Sequence, residues 1–550
     1  MFLRTQTNGQ RTYLLLVENQ RVDGHVRQQV LCRLGRLDEL RDSGQLDLLL
    51  QSLGRFSDKY AVLGAHRNGQ SITTQTRILG PPIIFERLWE ECGIQQVLNR
   101  LRRHRHFQFS VEQAVFQTVL HRLVAPGSDR AAERWKQNYL IAGAESLELQ
   151  HLYRAMAWLG EPLPEAEQKG ATPFVARTTK DLVEEELFRH RRDLFSSLDL
   201  VFFDTTSIYF EGEGGQTIGW YGHSKDHRPD RLQMVVGMVL DNQGNPVCSE
   251  LWPGNAPDVK SLVPMVDRLK TRFPVGEVCI VADRGMISAE TMSDLQRRNW
   301  KYILGVRMRS SNAARQVVAR AGRDGRYQEV FPESDDPDDP APLKVKEVWV
   351  AGQRYIVCRN EEQARRDRQE REAIVASLRD ALQGGDKSLV GNKGYRRFLQ
   401  TSGERFTINE QKVKQEARYD GKWVLTTNTE LTAPEVAVKY KQLWVVEDIF
   451  RSMKSLLETR PIFHKRDETI RGHVFCTFLA LVLRKELQDR LERKGWTPEW
   501  ADVIRDLDQL QEVEVHLEGK AYLLRTEAKG TTGKVFQACG VALPPTLRQR

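Results

Sequence analysis

Paired cysteines are missing from this sequence. The seven present (Cys32, Cys92, Cys248, Cys279, Cys358, Cys476 and Cys539) stand singly, and no CxxC occurs. An odd, scattered set builds neither a disulfide framework nor a zinc knuckle, so a reducing compartment is expected. Membrane-length apolar runs are missing too: the longest, VFCTFLALVL at 474–483, is far too short to span a bilayer. The opening MFLRTQTNGQR has no signal-peptide core, and no internal repeat is visible. There is no HExxH, and His223 and His227 have no third partner at metal-ligand spacing, so they are not read as a metal site. These absences exclude a disulfide-stapled secreted scaffold and a membrane-spanning protein, and they leave a cytoplasmic location as the expectation.

What is present suits a soluble chain with a large core. Of 550 residues, 40% are hydrophobic and 28% charged. The net charge of +8 and the pI near 9.0 favour polyanionic partners without identifying one.

The order of patterns predicts an α/β fold with a mixed sheet. Residues 1–190 read as a mainly helical region after an opening strand pair, RTYLLLVENQRVDGHVRQQVLCRLG. It contains the basic run Arg100, Arg102, Arg103 and Arg105, either a solvated helix end or a DNA-backbone contact. From 195 to 310 strands dominate: 198–204, a hairpin 232–241/246–254 turning at DNQGN, then helix 258–273, strand 277–283, helix 288–299 and strand 301–307. Residues 311–425 are irregular, with an acidic Pro-rich loop at 333–342, a strand pair and a highly charged helix, and read as an insertion. Residues 426–495 return to the core, with one helix expected from Ala433 past Leu457 and another over 470–490; 496–550 form a short tail.

Two strands share a design. LVFFD carries the chain through a core to Asp204, and CIVAD does the same for Asp283. A lone strand-terminal Asp is more often a turn or cap residue. Two of them on parallel neighbours would bring both carboxylates to one sheet edge, where open α/β sheets place their chemistry. Close carboxylates repel unless a cation lies between them, and Mg²⁺ is the natural oxygen-seeking occupant. The helix YKQLWVVEDIFRSMKSLL offers a third anion, Glu447, on a stripe with Tyr440, Arg451, Lys454 and Glu458; a solvated face would look the same. The loop GHSKDHRPDR (222–231), dense in Lys225, Arg228 and Arg231, is either a DNA grip near the sheet edge or a polar lead-in to the next strand.

This ordered set resembles the bacterial insertion-sequence transposases of the DDE superfamily, the cut-and-paste, insertion-sequence-four-like group with a Tyr–Arg–Glu–Lys signature. Tyr440, Glu447 and Lys454 match that signature, and Leu443 replaces its arginine. Further blocks that carry the resemblance are DTTSIYFEG, HSKDHRPDRLQMVVGMVLDNQGNPV, WPGNAPD, VADRGMIS and RPIFHKRDETIRGHVF, between residues 195 and 490. The N-terminal region resembles relatives more loosely.

The resemblance implies a ribonuclease H-like core interrupted by a mostly β insertion, with Asp204, Asp283 and Glu447 as the metal-holding catalytic triad. It implies Mg²⁺ as cofactor, with Mn²⁺ able to substitute, and cleavage at transposon ends followed by strand transfer through a two-metal mechanism. Partners would be double-stranded DNA, both terminal inverted repeats and target, and a second copy of the chain on that DNA. The setting would be the bacterial cytosol, nucleoid-associated when bound. Lys454 and Tyr440 would contact transposon-end DNA, with Arg451 standing in for the missing arginine. Trp423, in KWVLTT, would stack a flipped base, a contact of about 1–3 kcal/mol; a core-packed strand Trp is the alternative. Two other functions remain open: a ribonuclease H-like nuclease that stops at hydrolysis, and a catalytically idle, transposase-derived DNA-binding protein.

Overall fold

Continuous runs of β-branched and aromatic residues become buried strands, and a computed structural model arranges them. It describes residues 1–22, 25–54, 56, 74–172, 175–191, 200–273, 278–309, 312–322, 326–331, 341–383, 397–402, 405–517 and 520–550. The chain forms two compact units: Met1–Pro82 with Asn138–Leu140 and Pro498–Arg550, and Ile83–Gln137 with Ile141–Thr497. No helix among the described residues is long and apolar enough to cross a membrane.

In the first unit the opening strand pair is present as β2 (Arg11–Val22) and β3 (His25–Arg36), and β1 (Phe2–Asn8) adds a third antiparallel strand. A second sheet joins distant parts of the sequence. There β4 (Thr74–Ile78) pairs with β16 (Gln511–Leu517), which continues to β17 (Lys520–Arg525) and β18 (Leu547–Gln549). Alternation in β16 and β17 turns Val513, Val515, Tyr522 and Leu524 to a small shared core.

The second unit is built on a nine-stranded sheet. Its strands in chain order are β5 (Leu200–Tyr209), β6 (Gln233–Leu240), β7 (Pro246–Pro253), β8 (Cys279–Ala282), β9 (Lys301–Val306), β10 (Gln328–Phe331), β11 (Leu343–Val350), β12 (Gln353–Arg359) and β15 (Lys422–Thr427). In space they run β10-β11-β12-β15-β9-β8-β5-β6-β7. Only β5/β8 and β8/β9 pair in parallel; every other contact is antiparallel. The strands of residues 311–425 therefore extend the main sheet past β9, while the hairpin β13 (Leu399–Ser402) and β14 (Arg405–Ile408) stands apart. Residues 333–340 of the acidic Pro-rich stretch lie outside the described residues.

Both faces of the sheet centre are covered, which is why β6 and β8 are buried along their whole length. On one face Val201, Phe203, Ile280, Ala282, Tyr302 and Leu304 pack against the helices Leu262–Arg272 and Ala289–Arg297. Beneath that layer lies a buried ionic network. Arg177, Lys180, Arg268 and Arg272 meet Asp181, Glu184, Glu185 and Glu250, four cations against four carboxylates. A buried charge is tolerated only when paired in this way.

The helix Asp467–Glu492 carries the longest apolar run into the core and crosses the helix Leu149–Gly160 closely. A Cβ on Gly472 would lie 1.9 Å from the Met156 carbonyl oxygen, and one on Gly160 would lie 2.0 Å from that of Glu468. The crossing requires glycine at both positions.

Candidate active site

Of the strand expected at 198–204, residues 198 and 199 lie outside the described residues; from Leu200 the strand runs on to Tyr209, so Asp204 lies mid-strand. Antiparallel β6 pairs with β5 from Phe202 to Tyr209 and keeps DTTSIY extended. Parallel β8 stops earlier: its last pairing is Ala282 with Phe203. Asp204 is thus the first β5 residue past the end of its parallel neighbour, and Asp283 is the first residue beyond β8. Neighbouring strands lie about 4.8 Å apart, so the two acids stand side by side. Strand alternation turns Phe203 and Ala282 into the packed core and puts Asp204 on the opposite face.

Asp283 is held by a tyrosine. The Tyr440 hydroxyl donates to Asp283 Oδ1 at 2.9 Å. Burial first, then the Asp283 charge, raises the phenol above its ordinary range, so it stays a donor. Room for the ring comes from β9: a Cβ on Gly305 would lie 2.4 Å from the Tyr440 hydroxyl oxygen.

Asp204 is strained electrostatically. Burial pushes its carboxyl up to about 6; Asp283 and Asp258 add to the rise, and Lys225 and the Thr205 amide oppose it. Asp258 is a residue that the sequence reading missed. It opens a short 3₁₀ turn, Asp258–Lys260, after β7. It accepts from Thr205 Oγ1 at 2.9 Å and pairs with Lys225 at 3.3 Å. The available signal was the block WPGNAPD, which ends on this residue, but the two-strand pattern gave no reason to add a third acid there.

Lys225 reaches into the site as well. Its Nζ donates to the Thr205 carbonyl at 2.6 Å and lies 3.2 Å from Thr205 Oγ1. That carbonyl belongs to β5 beyond the last β8 pairing, so the ammonium satisfies an acceptor that the parallel ladder leaves over. Arg228 forms a two-pronged contact with Asp230 at 2.9 and 3.0 Å and lies 5.2 Å over the Tyr209 ring.

The single helix expected from Ala433 past Leu457 is three segments: Ala433–Lys441, Trp444–Arg451 and a π-helical turn, Ser452–Leu456. The break comes at Gln442–Leu443, where Val445 and Val446 donate to carbonyls three residues back and Leu443 is buried. The π turn is fixed from outside by Thr459 Oγ1 donating to the Met453 carbonyl at 2.8 Å and by Arg484 on Ser452. Consequently Tyr440, Glu447, Arg451 and Lys454 do not share one continuous stripe.

Glu447 is exposed in the first turn of the middle segment, which packs against β5, and no hydrogen bond or ion pair engages it among the described residues. Arg451 is 74% exposed, with a loose contact to Asp448. Lys454 lies in the π turn and pairs with Asp226 at 2.7 Å, both largely buried, and Arg460 reaches the same carboxylate oxygen. Trp423 is half-buried on β15. Leu425 pairs with Gly305, so alternation places Trp423 on the Gly305 face of the sheet, about 15 Å across three strands from Asp204.

A second grouping of potential metal ligands, Asp129, His464 and His473, brings its ligand atoms within 4.8 Å of one another. Its own partners occupy it. His473 Nδ1 lies 2.8 Å from an Arg122 guanidinium nitrogen, and Nε2 lies 3.2 Å from the Thr459 carbonyl oxygen. A guanidinium in contact with a ligand nitrogen repels a metal cation, so this is a structural hydrogen-bond cluster.

A mixed-sheet α/β unit that sets adjacent carboxylates beside the end of a parallel strand is suited to phosphoryl chemistry, and the comparisons with known proteins agree in class. A family model described as Transposase DDE domain matches residues 196–483, just over half the chain, and the chain belongs to that family. A second model, the N-terminal domain of IS1634 family transposases, matches residues 3–66. No curated protein matches. The protein is a DDE transposase of the insertion-sequence type.

Proposed function

We propose that the protein cuts DNA at the ends of its own mobile element and joins the freed 3′-hydroxyl ends to target DNA. Asp204, Asp283 and Glu447 are the proposed catalytic carboxylates, within a ribonuclease H-like core over 195–310 and 426–495. The observation that carries this reading is the adjacency of Asp204 and Asp283 where β8 stops pairing with β5. Their donor set fits Mg²⁺: it is all oxygen, and burial together with the neighbouring carboxylates penalises the charge on Asp204, a penalty that a bound cation relieves. Mn²⁺, with similar preferences, would substitute. When bound, such ions activate a water or 3′-hydroxyl on one side of the phosphodiester and stabilise the leaving oxygen on the other.

The chain's own residues prepare that event. Tyr440 orients Asp283 through its hydroxyl, and β5 fixes Asp204. Glu447, on the helix packed against β5, completes the set when DNA engages. Each step forms one P–O bond and breaks one, so strand transfer needs no external energy source. Lys454, Arg451, Lys225 and Arg228 supply cationic contacts to phosphates near the cut, and Trp423 offers a stacking face for a displaced base. The match of Tyr440, Glu447 and Lys454 supports reading the chain as a member of the Tyr–Arg–Glu–Lys group, with Leu443 in place of its arginine. Region 1–190 would bind transposon ends, 311–425 would be the insertion, and two copies would act together because two ends must be cut and joined.

The test is a cleavage and strand-transfer assay on DNA carrying the element's own ends, in Mg²⁺. Asp204→Asn, Asp283→Asn and Glu447→Gln should each abolish both steps. Cleavage without joining would indicate a hydrolytic nuclease. Unchanged activity in all three variants would refute the triad.

A further inference from the structure

The carboxylate site contains a cation of its own. Lys225 Nζ is fixed by three oxygens: the Thr205 carbonyl at 2.6 Å, Thr205 Oγ1 at 3.2 Å and Asp258 Oδ2 at 3.3 Å. Thr205 Oγ1 in turn donates to Asp258 Oδ1 at 2.9 Å. The backbone beside it is fixed as well, since the Lys225 amide donates to Ser207 Oγ at 2.7 Å. Every one of these partners belongs to β5 or to the turn after β7, so the ammonium is held rigidly against the strand that carries Asp204.

We propose that Lys225 is a fixed counter-cation of the Asp204–Asp283 pair and that Asp258 is the positioning residue that holds it there. The inference rests on the metal-site reading given above and deepens it. In the ion-free protein Lys225, held on the carbonyl of the residue that follows Asp204, offsets the repulsion between the carboxylates. On ion binding the same charge opposes the incoming cation, so affinity for the divalent ion is held below what the carboxylates alone would give. Asp258 keeps the ammonium close enough for both effects.

The experiment is a Mn²⁺ titration of the full-length, DNA-free protein, read by electron paramagnetic resonance of the free ion, with circular dichroism as a check on folding. Lys225→Gln should bind Mn²⁺ about tenfold more tightly than the parent. Lys225→Arg, which keeps the charge, should stay near the parent. Asp258→Asn should change affinity by a different factor in the Lys225→Gln background than in the parent, because Asp258 acts through Lys225. A Lys225→Gln protein that binds Mn²⁺ no more tightly than the parent overturns the proposal, and so do strictly additive effects of the two substitutions. A merely structural lysine would give weaker binding in Lys225→Gln through local loosening, the opposite sign. A parent protein that binds no Mn²⁺ overturns the metal-site reading together with this one; a parent that binds, with the variants unshifted, overturns this one alone.

Discussion

Asp204→Asn should make the ion-free protein more stable while destroying its activity. The Asp204 carboxyl is raised from an ordinary 3.8 to about 6, chiefly by burial. Between those values the folded state holds a proton that the unfolded chain has released, so stability falls as pH rises through the window. Above pH 6 the buried charge costs about 3 kcal/mol, from roughly two pKa units at about 1.4 kcal/mol each. Asparagine keeps the shape without the charge, so the variant should gain up to about 3 kcal/mol at pH 7.5, shrinking to about half of that at pH 5 and vanishing near pH 3.5. Urea denaturation at those three pH values, with chelator present, measures it. Saturating Mn²⁺ should reverse the order, since an ion that binds the native carboxylate pair stabilises only the parent. A variant less stable than the parent at pH 7.5 without metal, or a difference indifferent to pH, would refute the electrostatic reasoning.

Three further substitutions test other parts of the account. Gly472→Ala should cost about 1–3 kcal/mol or more in urea denaturation, because its methyl group meets the Met156 carbonyl rather than a pliable side chain; a neutral result would mean that the crossing of the two helices relaxes easily. Lys454→Ala should weaken binding to transposon ends and lower the salt dependence of that binding by about one phosphate contact; an unaltered slope would confine Lys454 to its ion pair with Asp226. Trp423→Ala should leave first-strand nicking intact and impair later steps, whereas equal loss at every step would point to misfolding.

The sequence revealed the centre of the sheet because its strands are buried on both faces. Runs such as QMVVGMVL and CIVA have no other plausible fate, and the turn at DNQGN is closed by Asp241 accepting from the Gln243 and Asn245 amides as its composition predicts. The adjacency of Asp204 and Asp283 was legible for the same reason: each is a lone charge after an apolar run. The extent of β5 was not, because Thr205, Thr206 and Ser207 look like the end of a strand until β6 is known to pair beside them. The break at Gln442–Leu443 was hidden as well, since neither residue is a helix breaker and tertiary contacts of Leu443 and Ser452 decide it. Asp258 escaped notice because an acid at the end of WPGNAPD falls outside the two-strand pattern, and the network around Lys180 and Arg272 escaped it for another cause. Charged residues at helical spacing read as solvated faces, and only the fold brings Lys180, Asp181 and Glu184 against Arg268, Arg272 and Glu250. The sheet formed by β4 with β16, β17 and β18 joins residues more than 400 apart, which no local pattern encodes.

The most direct test of the central claim is anomalous diffraction from crystals of the protein with Mn²⁺ and transposon-end DNA. Manganese should lie between the Asp204 and Asp283 carboxylates, with Glu447 turned toward it. Manganese bound at Asp129, His464 and His473 instead, or an Asp204–Asp283 edge without metal at saturating concentration, would contradict the account.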